Sequence, residues 1–167
     1  MILVTERSQS APVVLIASGA AQLRRRWRQA IQGPFAAHEV TEGSALARSL
    51  ASRRPAALLL DLHLPELGGI EGVATIQRLR PTIKIIVLTS RPDRGQGIAA
   101  LKAGARGYCD RDIDPRLLGK AVEIVCKGEI WIGRKLISHL LEELAALTEQ
   151  QHPRSPAATR HTVASNQ

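Results

Sequence analysis

The chain has 167 residues and a mass of 18.1 kDa, about the size of one domain, and 44% of its residues are apolar. This ordinary globular composition excludes a collagen, a coiled-coil rod and a wholly disordered chain. The 23 Lys and Arg residues exceed the 15 Asp and Glu residues and give a net charge of +8, so a polyanion or an acidic protein surface is a partner to consider.

Short apolar runs alternate with longer amphipathic segments, the pattern of parallel strands that are covered by helices on both faces. Five strands are predicted, at 13–17, 35–40, 56–62, 83–89 and 105–109. Five helices are predicted between and after them, at 20–31, 44–53, 70–79, 96–103 and 116–127. The β-α order and the short crossovers predict an α/β fold with a doubly wound, five-stranded parallel sheet.

Two helices in this series have an unusual composition. The first carries a basic run, Arg24, Arg25, Arg26 and Arg28, which is interpreted as a solvated face around an inward-facing Trp27, with contact to nucleic acid as the alternative. Gly95 and Gly97 stand where the fourth helix should begin, and each glycine costs about 1 kcal/mol relative to alanine inside a helix. The fourth helix is therefore expected to start late or to be mobile.

A sixth helix is predicted at 133–147, after the last strand-helix unit. Trp131 is expected to anchor it, and it carries an apolar stripe, Ile137, Leu140, Leu141, Leu144 and Leu147. The stripe suits either the domain's own apolar surface or a two-helix dimer. The resulting organisation is a domain at 12–130, a C-terminal helix at 131–149 and a flexible tail or interdomain linker at 150–167.

Cysteine usage and hydropathy both favour a cytoplasmic location. Cys109 and Cys126 lie in apolar segments without CxxC spacing, so they are predicted to fill core space and not to form a disulfide or a metal site. No apolar run reaches the roughly 20 residues that cross a bilayer. Glu6 and Arg7 interrupt the apolar start of the chain. We therefore expect a soluble protein that is not exported and has no membrane partner.

The ends of the predicted strands place several polar residues together, because ligands of doubly wound sheets bind outside the carboxyl ends of the strands. Ser18 and Gly19 follow the first strand, Asp61 ends the third, Thr89 ends the fourth, and Arg111 follows the fifth. These positions are the candidate site. Five scattered histidines indicate no metal cluster.

Three segments at these strand ends resemble the receiver domain of two-component response regulators over residues 12–130. They are DLHLPELGG at 61–69, VLTS at 87–90 and GARGYCDRD at 104–112. The segment GEIWIGRKLISHLL, at 128–141, resembles the region that follows receivers in the NarL/FixJ (LuxR-type) class and leads into a helix-turn-helix domain there. No helix-turn-helix pattern follows it here.

The resemblance implies a role for each site residue. Asp61 corresponds to the aspartate that accepts a phosphoryl group from a histidine kinase, and Thr89 to the hydroxyl that binds a phosphoryl oxygen. Tyr108 corresponds to the aromatic switch residue, and the main-chain carbonyl of His63 to a metal ligand. The family also uses Mg²⁺, held by an acidic pair after the first strand, and a lysine after the fifth.

This chain departs from the family at two of these positions. Ser18-Gly19 replaces the acidic pair, and Arg111 replaces the lysine. A single carboxylate holds Mg²⁺ weakly, so no metal cofactor is expected. Arg111 keeps the positive charge but has a different geometry from lysine, and a permanent pair with Asp61 is one interpretation of it.

These departures favour an atypical, degenerate receiver that controls transcription through protein association and does not turn over a substrate. A homodimer is expected, with DNA contacted only through an attached or partner helix-turn-helix domain. The alternative is a phosphorylatable receiver in which Ser18 and water replace the acidic pair, with a histidine kinase as partner. A flavodoxin-like cofactor binder is disfavoured, because neither GxGxxG nor GxxxxGK[ST] occurs.

Overall fold

A computed structural model describes residues 10–151 of the chain. One five-stranded parallel sheet has the strand order β2-β1-β3-β4-β5. Its strands are β1 (Val13–Ala17), β2 (Ala36–Val40), β3 (Ala57–Asp61), β4 (Lys84–Thr89) and β5 (Gly107–Asp110). The helices are α1 (Ala21–Arg28), α2 (Gly43–Arg53), α3 (Ile70–Leu79), α4 (Arg94–Lys102), α5 (Pro115–Cys126) and α6 (Arg134–Gln151). The predicted doubly wound fold is confirmed, and α3 has the predicted bounds.

Two apolar cores lie on opposite faces of the sheet, because side chains alternate along each strand. Leu58, Leu60 and Val87 belong to the core that includes α2, α3 and α4. Leu59 and Leu88 belong to the core that includes α1 and α5. All five residues of β3 are buried, as expected for the central strand of a sheet that is covered on both faces.

The register of the parallel strands brings the candidate site residues to one edge of the sheet. Ala17 pairs with Leu60, Asp61 with Leu88, and Thr89 with Asp110. The residues that end these strands or follow them therefore share the carboxyl edge of the sheet.

Trp27 packs inward, as predicted, and is fully buried. The predicted solvated face holds for Arg25 and Arg28, which are exposed, and is wrong for Arg24 and Arg26, which are half-buried. Arg24 and Arg28 form ion pairs with Glu39 at 3.1 and 2.8 Å. Arg26 Nη2 donates to the carbonyls of Asp112 and Ile113. The hydrogen bond from Arg28 lowers the pKa of Glu39, while Arg25 stays exposed.

Helix α4 begins at Arg94, so the prediction of a late start is wrong; its mobility stays a prediction. The Asp93 carboxylate caps the helix by accepting a hydrogen bond of 2.9 Å from the Gln96 N–H, which offsets the glycines in the first turns. Helix α1, in contrast, ends at Arg28, before its predicted end at 31. The chain then forms tighter turns, since the N–H groups of Ala30 and Ile31 bond to the carbonyls of Trp27 and Arg28, three residues before them.

Trp131 anchors the C-terminal helix, as predicted, by extending the sheet edge. Residue 131 forms a parallel bridge with Gly107: its N–H donates to the Arg106 carbonyl, and its carbonyl accepts from the Tyr108 N–H. Helix α6 then packs on α4 through Leu136 and Leu140.

The apolar stripe of α6 is divided between the domain and solvent. Leu136, which the predicted stripe did not include, is 8% exposed, whereas Ile137, Leu141, Leu144 and Leu147 are 43 to 62% exposed. The first two residues of the predicted tail, 150 and 151, belong to α6, and the rest of it lies outside the described residues.

Both cysteines are free thiols, as predicted. Cys109 is buried at the edge strand β5, and Cys126 is half-buried at the end of α5. Within residues 10–151, no helix has the length and apolar character that spanning a bilayer requires.

Candidate functional site

Asp61 lies at the end of β3 and is 4% exposed. Each of its carboxylate oxygens accepts a hydrogen bond from a neighbouring loop. Oδ2 accepts from the Ser18 hydroxyl at 2.7 Å, and Oδ1 accepts from the His63 N–H at 2.9 Å. The aspartate predicted as the phosphoryl acceptor is therefore held by the protein's own donors.

Ser18 is fully buried directly after β1, where its backbone N–H bonds to the Val40 carbonyl of β2. Its hydroxyl donates to Asp61 and also accepts from the Ala20 N–H at 3.1 Å, next to the start of α1. Arg24 Nη1 donates to the Ser18 carbonyl at 2.8 Å. Ser18 is thus fixed by contacts to β2, to the end of β3 and to the start of α1.

Gly19 follows Ser18, at the second of the two positions where the resemblance implies acidic residues. A Cβ atom at this position would lie 3.1 Å from Cδ of Pro65, closer than most such contacts. The absence of a side chain at Gly19 therefore leaves room for Pro65, in the loop after β3, beside the end of β1.

His63 contributes its side chain as well as its backbone. Its Nδ1 lies 3.7 Å from Asp61 Oδ1, and its side chain is 61% exposed. When protonated, this imidazole forms an ion pair with the carboxylate. From the sequence, only the His63 carbonyl has a predicted role. The contact of its side chain could have been expected from its position two residues after the aspartate that ends β3.

The residues at the ends of β1 and β3 do not fit the Mg²⁺ ion that the resemblance implies. Mg²⁺ requires near-octahedral coordination by about six oxygen atoms. Ser18, Gly19 and Asp61 supply one carboxylate, and its two oxygens already accept hydrogen bonds. No group of three or more His, Cys, Asp or Glu residues in the described part of the chain is arranged to hold a metal ion.

Arg111 is not paired with Asp61, so that interpretation is wrong. The ion pairs within residues 10–151 give Asp61 only His63 as a partner. The Arg111 backbone is bonded to two neighbouring elements. Its N–H donates to the Thr89 carbonyl of β4 at 2.9 Å, and its carbonyl accepts from Trp27 Nε1 of α1 at 2.9 Å. The Nε atom of Arg111 is buried without a partner among the described residues.

Thr89 is 1% exposed at the end of β4, the strand that pairs with β3. Asp61, Thr89 and Arg111 therefore occupy neighbouring strand ends, as predicted. Their roles in phosphoryl chemistry stay predictions.

Tyr108 points into the domain, under α4. Its hydroxyl accepts from the Asp93 N–H at 3.1 Å and donates to Gln96 Oε1 at 2.9 Å. Burial raises the pKa of the phenol. A Cβ at Gly97 would lie 3.0 Å from Tyr108 Cε1 and 2.8 Å from Leu136 Cδ2, so this glycine makes room for both side chains. This packing role of Gly97 was not predicted from the sequence, in which it resembles a weak point of the helix.

The β2-β1-β3-β4-β5 parallel sheet, with an aspartate at the end of its central strand and a threonine and a buried tyrosine on the next two, defines a receiver-type signalling domain. Residues 14–123 match the response regulator receiver domain family. The chain belongs to this family.

Two curated relatives are transcriptional regulators by name. The transcriptional regulatory protein DegU of Brevibacillus brevis is 26% identical over 114 residues, which are 68% of this chain and 48% of DegU. The DNA-binding transcriptional activator DevR/DosR of Mycobacterium tuberculosis is 30% identical over 119 residues, which are 70% of this chain and 55% of DevR/DosR. The chain thus spans about half the length of these relatives.

A solved structure supports the same fold. The crystal structure of a LuxR-family two-component response regulator from Aurantimonas superimposes with a TM-score of 0.70 at 23% identity. The match covers 81% of this chain and 99% of that one. The CheY-like receiver fold with LuxR-type structural neighbours is therefore confirmed.

Proposed function

We propose that this chain is an atypical receiver domain that signals through protein association and without phosphorylation of Asp61. The observation that carries the proposal is the double engagement of the Asp61 carboxylate, by the Ser18 hydroxyl and the His63 N–H. These bonds direct donors at both oxygens of the group that would act as the nucleophile. The protein's own hydrogen-bond donors thus contact the carboxylate oxygens, where a receiver ordinarily binds a metal ion.

The charge balance at the site supports the same proposal. Phosphoryl transfer depends on positioning and on neutralisation of the charge on the transferred group. In this chain, Ser18 and Gly19 stand where the family has the acidic pair that holds a cation, and Arg111 stands where the family has the lysine. With no metal held, uncatalysed attack by Asp61 on a phosphoryl donor is slow.

We further propose that the output is transcription control in the cytoplasm. DegU and DevR/DosR are named as transcriptional regulators, and each is about twice as long as the part that matches this chain. The corresponding DNA contact would come from a helix-turn-helix domain, attached to this chain or provided by a partner. Residues 12–130 would be the receiver, and α6 would begin the connection.

We propose a homodimer as the associated state. Ile137, Leu141 and Leu144 follow the i, i+4, i+7 spacing of a two-helix seam and are 43 to 62% exposed on α6. Leu136 and Leu140, on the adjacent side, pack against the domain. Because α6 packs on α4 and α4 contacts Tyr108, a second copy bound at α6 would be linked to the switch tyrosine by direct contacts.

A phosphorylatable receiver is the second candidate function. The pairing of β3 with β4 supports it: Asp61 lies opposite Leu88, next to Thr89, whose hydroxyl would then bind a phosphoryl oxygen. In that case Ser18 and water molecules would complete a metal site, and a histidine kinase would be the partner.

Incubation with acetyl phosphate or phosphoramidate and Mg²⁺ tests these two functions. The wild type is expected to gain no phosphoryl mass on intact-mass spectrometry, and added Mg²⁺ is expected to leave the NMR signals around Asp61 unchanged. The variant Ser18→Asp/Gly19→Asp restores the acidic pair and, once circular dichroism shows that it folds despite the contact of a Cβ at position 19 with Pro65, should gain both responses. Asp61→Asn in the same background is the blank. Stoichiometric labelling of the wild type at Asp61 contradicts the proposal.

A further inference from the structure

The end of the sheet opposite to Asp61 carries a group of cations, which we call the basic end: Arg53, Arg54, Arg78, Arg80, Lys84 and Arg106. These residues lie where α2 and α3 end and where β4 and β5 begin. Lys84 pairs in register with Ala57, and the Arg106 N–H bonds to the Ile85 carbonyl. Since neighbouring strands lie about 4.8 Å apart, the starts of β3, β4 and β5 fall within roughly 10 Å of one another.

No carboxylate within residues 10–151 lies within 4.0 Å of the charged nitrogens of the basic end, since every ion pair in that part of the chain involves other cations. Residues 43–60 and 72–92 contain no Asp or Glu at all. Four of the six cations are exposed, and Arg80 and Lys84 are half-buried. The basic end is therefore a positive surface without local neutralisation among the described residues.

A crevice of about 270 Å³ opens within the basic end, lined by Arg54, Pro55, Arg80, Thr82 and Ile83. Arg80 Nη2 donates to the Ala51 carbonyl at 3.1 Å, which fixes one guanidinium at the end of α2. Arg54 ends α2 in the left-handed conformation, at φ 46° and ψ 58°. Glycine is favoured at this kind of helix end, so the fold accepts backbone strain where a long cationic side chain is placed.

We infer that the basic end binds the phosphate groups of a duplex nucleic acid backbone. Five of its six cations are arginines, whose planar guanidinium matches phosphate oxygens with two parallel hydrogen bonds. The crevice adds the Thr82 side chain to the two arginines that line it. Recognition of this kind is independent of base sequence, because phosphates carry no sequence information.

The aromatic side chains favour a duplex over a single strand. Single-stranded nucleic acids are bound on exposed aromatic rings as well as on cations. Trp27 and Tyr108 are buried, and Phe35 and Trp131 are half-buried, so none of these rings forms an exposed stacking platform. The surface lies opposite to Asp61, so the inference is independent of whether Asp61 is phosphorylated.

Cations at helix C-termini also stabilise the helix dipole, and this is the competing explanation. It accounts for Arg53 and Arg78, in the last turns of α2 and α3, and equally for Arg54 and Arg80, which are the C-cap residues of these helices. It does not account for Lys84 and Arg106, which lie at or before the starts of strands. The two explanations differ in what a charge-removing substitution changes: folding stability in one case, and affinity for phosphates in the other.

Fluorescence anisotropy of the full chain with labelled DNA and RNA duplexes of arbitrary sequence, over a salt series, tests the inference. The basic-end variant is Arg53→Gln/Arg54→Gly/Arg106→Gln. The control variant, Arg25→Gln/Arg116→Gln/Lys120→Gln, removes the same charge from exposed positions on α1 and α5. The plot of the logarithm of the association constant against the logarithm of the salt concentration has a negative slope. The magnitude of this slope is expected to decrease by about 3 in the basic-end variant and to stay near the wild-type value in the control.

The single variant Arg54→Gly separates binding from folding. It should lower the salt slope by about 1 without lowering the urea midpoint, because glycine adopts the left-handed backbone without strain. Equal losses in the basic-end and control variants would show attraction by net charge alone and would overturn the inference. So would a wild type that binds phosphatidylserine vesicles and neither duplex.

Discussion

The Ser18 hydroxyl donates a hydrogen bond of 2.7 Å to Oδ2 of Asp61, across 43 positions of sequence, in a part of the protein where both residues are buried. In the receiver family the position of Ser18 belongs to an acidic pair that would repel this carboxylate unless a cation lay between them. A hydroxyl at that position reverses the interaction, because it attracts the carboxylate directly. Under the proposed function, this bond takes the place of the metal-dependent arrangement that the resemblance implies.

The substitution Ser18→Ala tests the strength of this bond. It leaves Asp61 Oδ2 buried without its donor, and hydrogen bonds to charged groups contribute about 1.5 to 3 kcal/mol. We expect the free energy of unfolding, measured in urea, to fall by this amount. Ser52→Ala is the matched control, since its hydroxyl bonds to the Arg48 carbonyl on the exposed face of α2. Equal changes for the two variants would contradict a special role for Ser18.

The two glycines of α4 are predicted to respond in opposite directions to substitution by alanine. Gly97→Ala places a Cβ against Leu136 and Tyr108, and overpacking of this kind costs about 1 to 3 kcal/mol. Gly95→Ala meets only the Asp93 carboxylate, at 3.5 Å, and should stabilise the helix by about 0.5 to 1 kcal/mol. Urea unfolding of both variants checks the signs. A stabilising Gly97→Ala would show that Tyr108 and Leu136 do not pack as described.

The two cysteines are predicted to differ in alkylation rate. Burial raises the pKa of the Cys109 thiol to about 12, and burial also raises the pKa of Cys126, which is half-buried. The thiolate is the reacting form, so iodoacetamide at pH 8 should label Cys126 well before Cys109 in the native protein. Peptide mass spectrometry over time measures the order. Equal rates in the folded state would contradict the buried position of Cys109.

The raised pKa of Cys109 also predicts a dependence of stability on pH. Its ordinary value is 9.0 and its folded value about 12, so the folded state keeps the proton over an interval in which the unfolded chain loses it. The contribution is fully present below pH 9 and is lost as the pH rises toward 12, at up to about 1.4 kcal/mol per pH unit. Comparison of urea midpoints for wild type and Cys109→Ala, from neutral pH upward, should show a steeper decline for the wild type. Equal declines of the urea midpoint in the two proteins would contradict a raised pKa of Cys109.

Dimer formation is predicted to depend on the exposed stripe of α6. Leu141→Gln/Leu144→Gln removes two side chains that are 62% and 60% exposed, so the fold should be unchanged while the sedimentation coefficient falls from that of a dimer to that of a monomer. Leu79→Gln/Leu117→Gln removes two exposed leucines from α3 and α5 and serves as the control. A monomeric wild type, or a dimer that survives the α6 substitutions, would refute this mode of association.

The pattern of the apolar residues by itself determined the strands, the helices and their α/β order. A strand that is buried on both faces needs a continuous apolar run, and a helix that covers the sheet needs apolar residues at helical spacing. The same pattern placed Ser18, Asp61, Thr89 and Arg111 at one edge of the sheet, since parallel strands end together. Trp131 as the anchor of α6, and both cysteines as free thiols, were also predictable from local composition.

Only the tertiary structure decided which partners these side chains take. Asp61 bonds to Ser18 and His63, and not to Arg111, because the direction of a side chain depends on how the loops close, which periodicity does not encode. Gly97 has the composition of a helix defect, yet its missing side chain admits Tyr108 and Leu136 from two other elements. Contacts between residues far apart in the chain are set by packing, and packing exists only once the elements have come together.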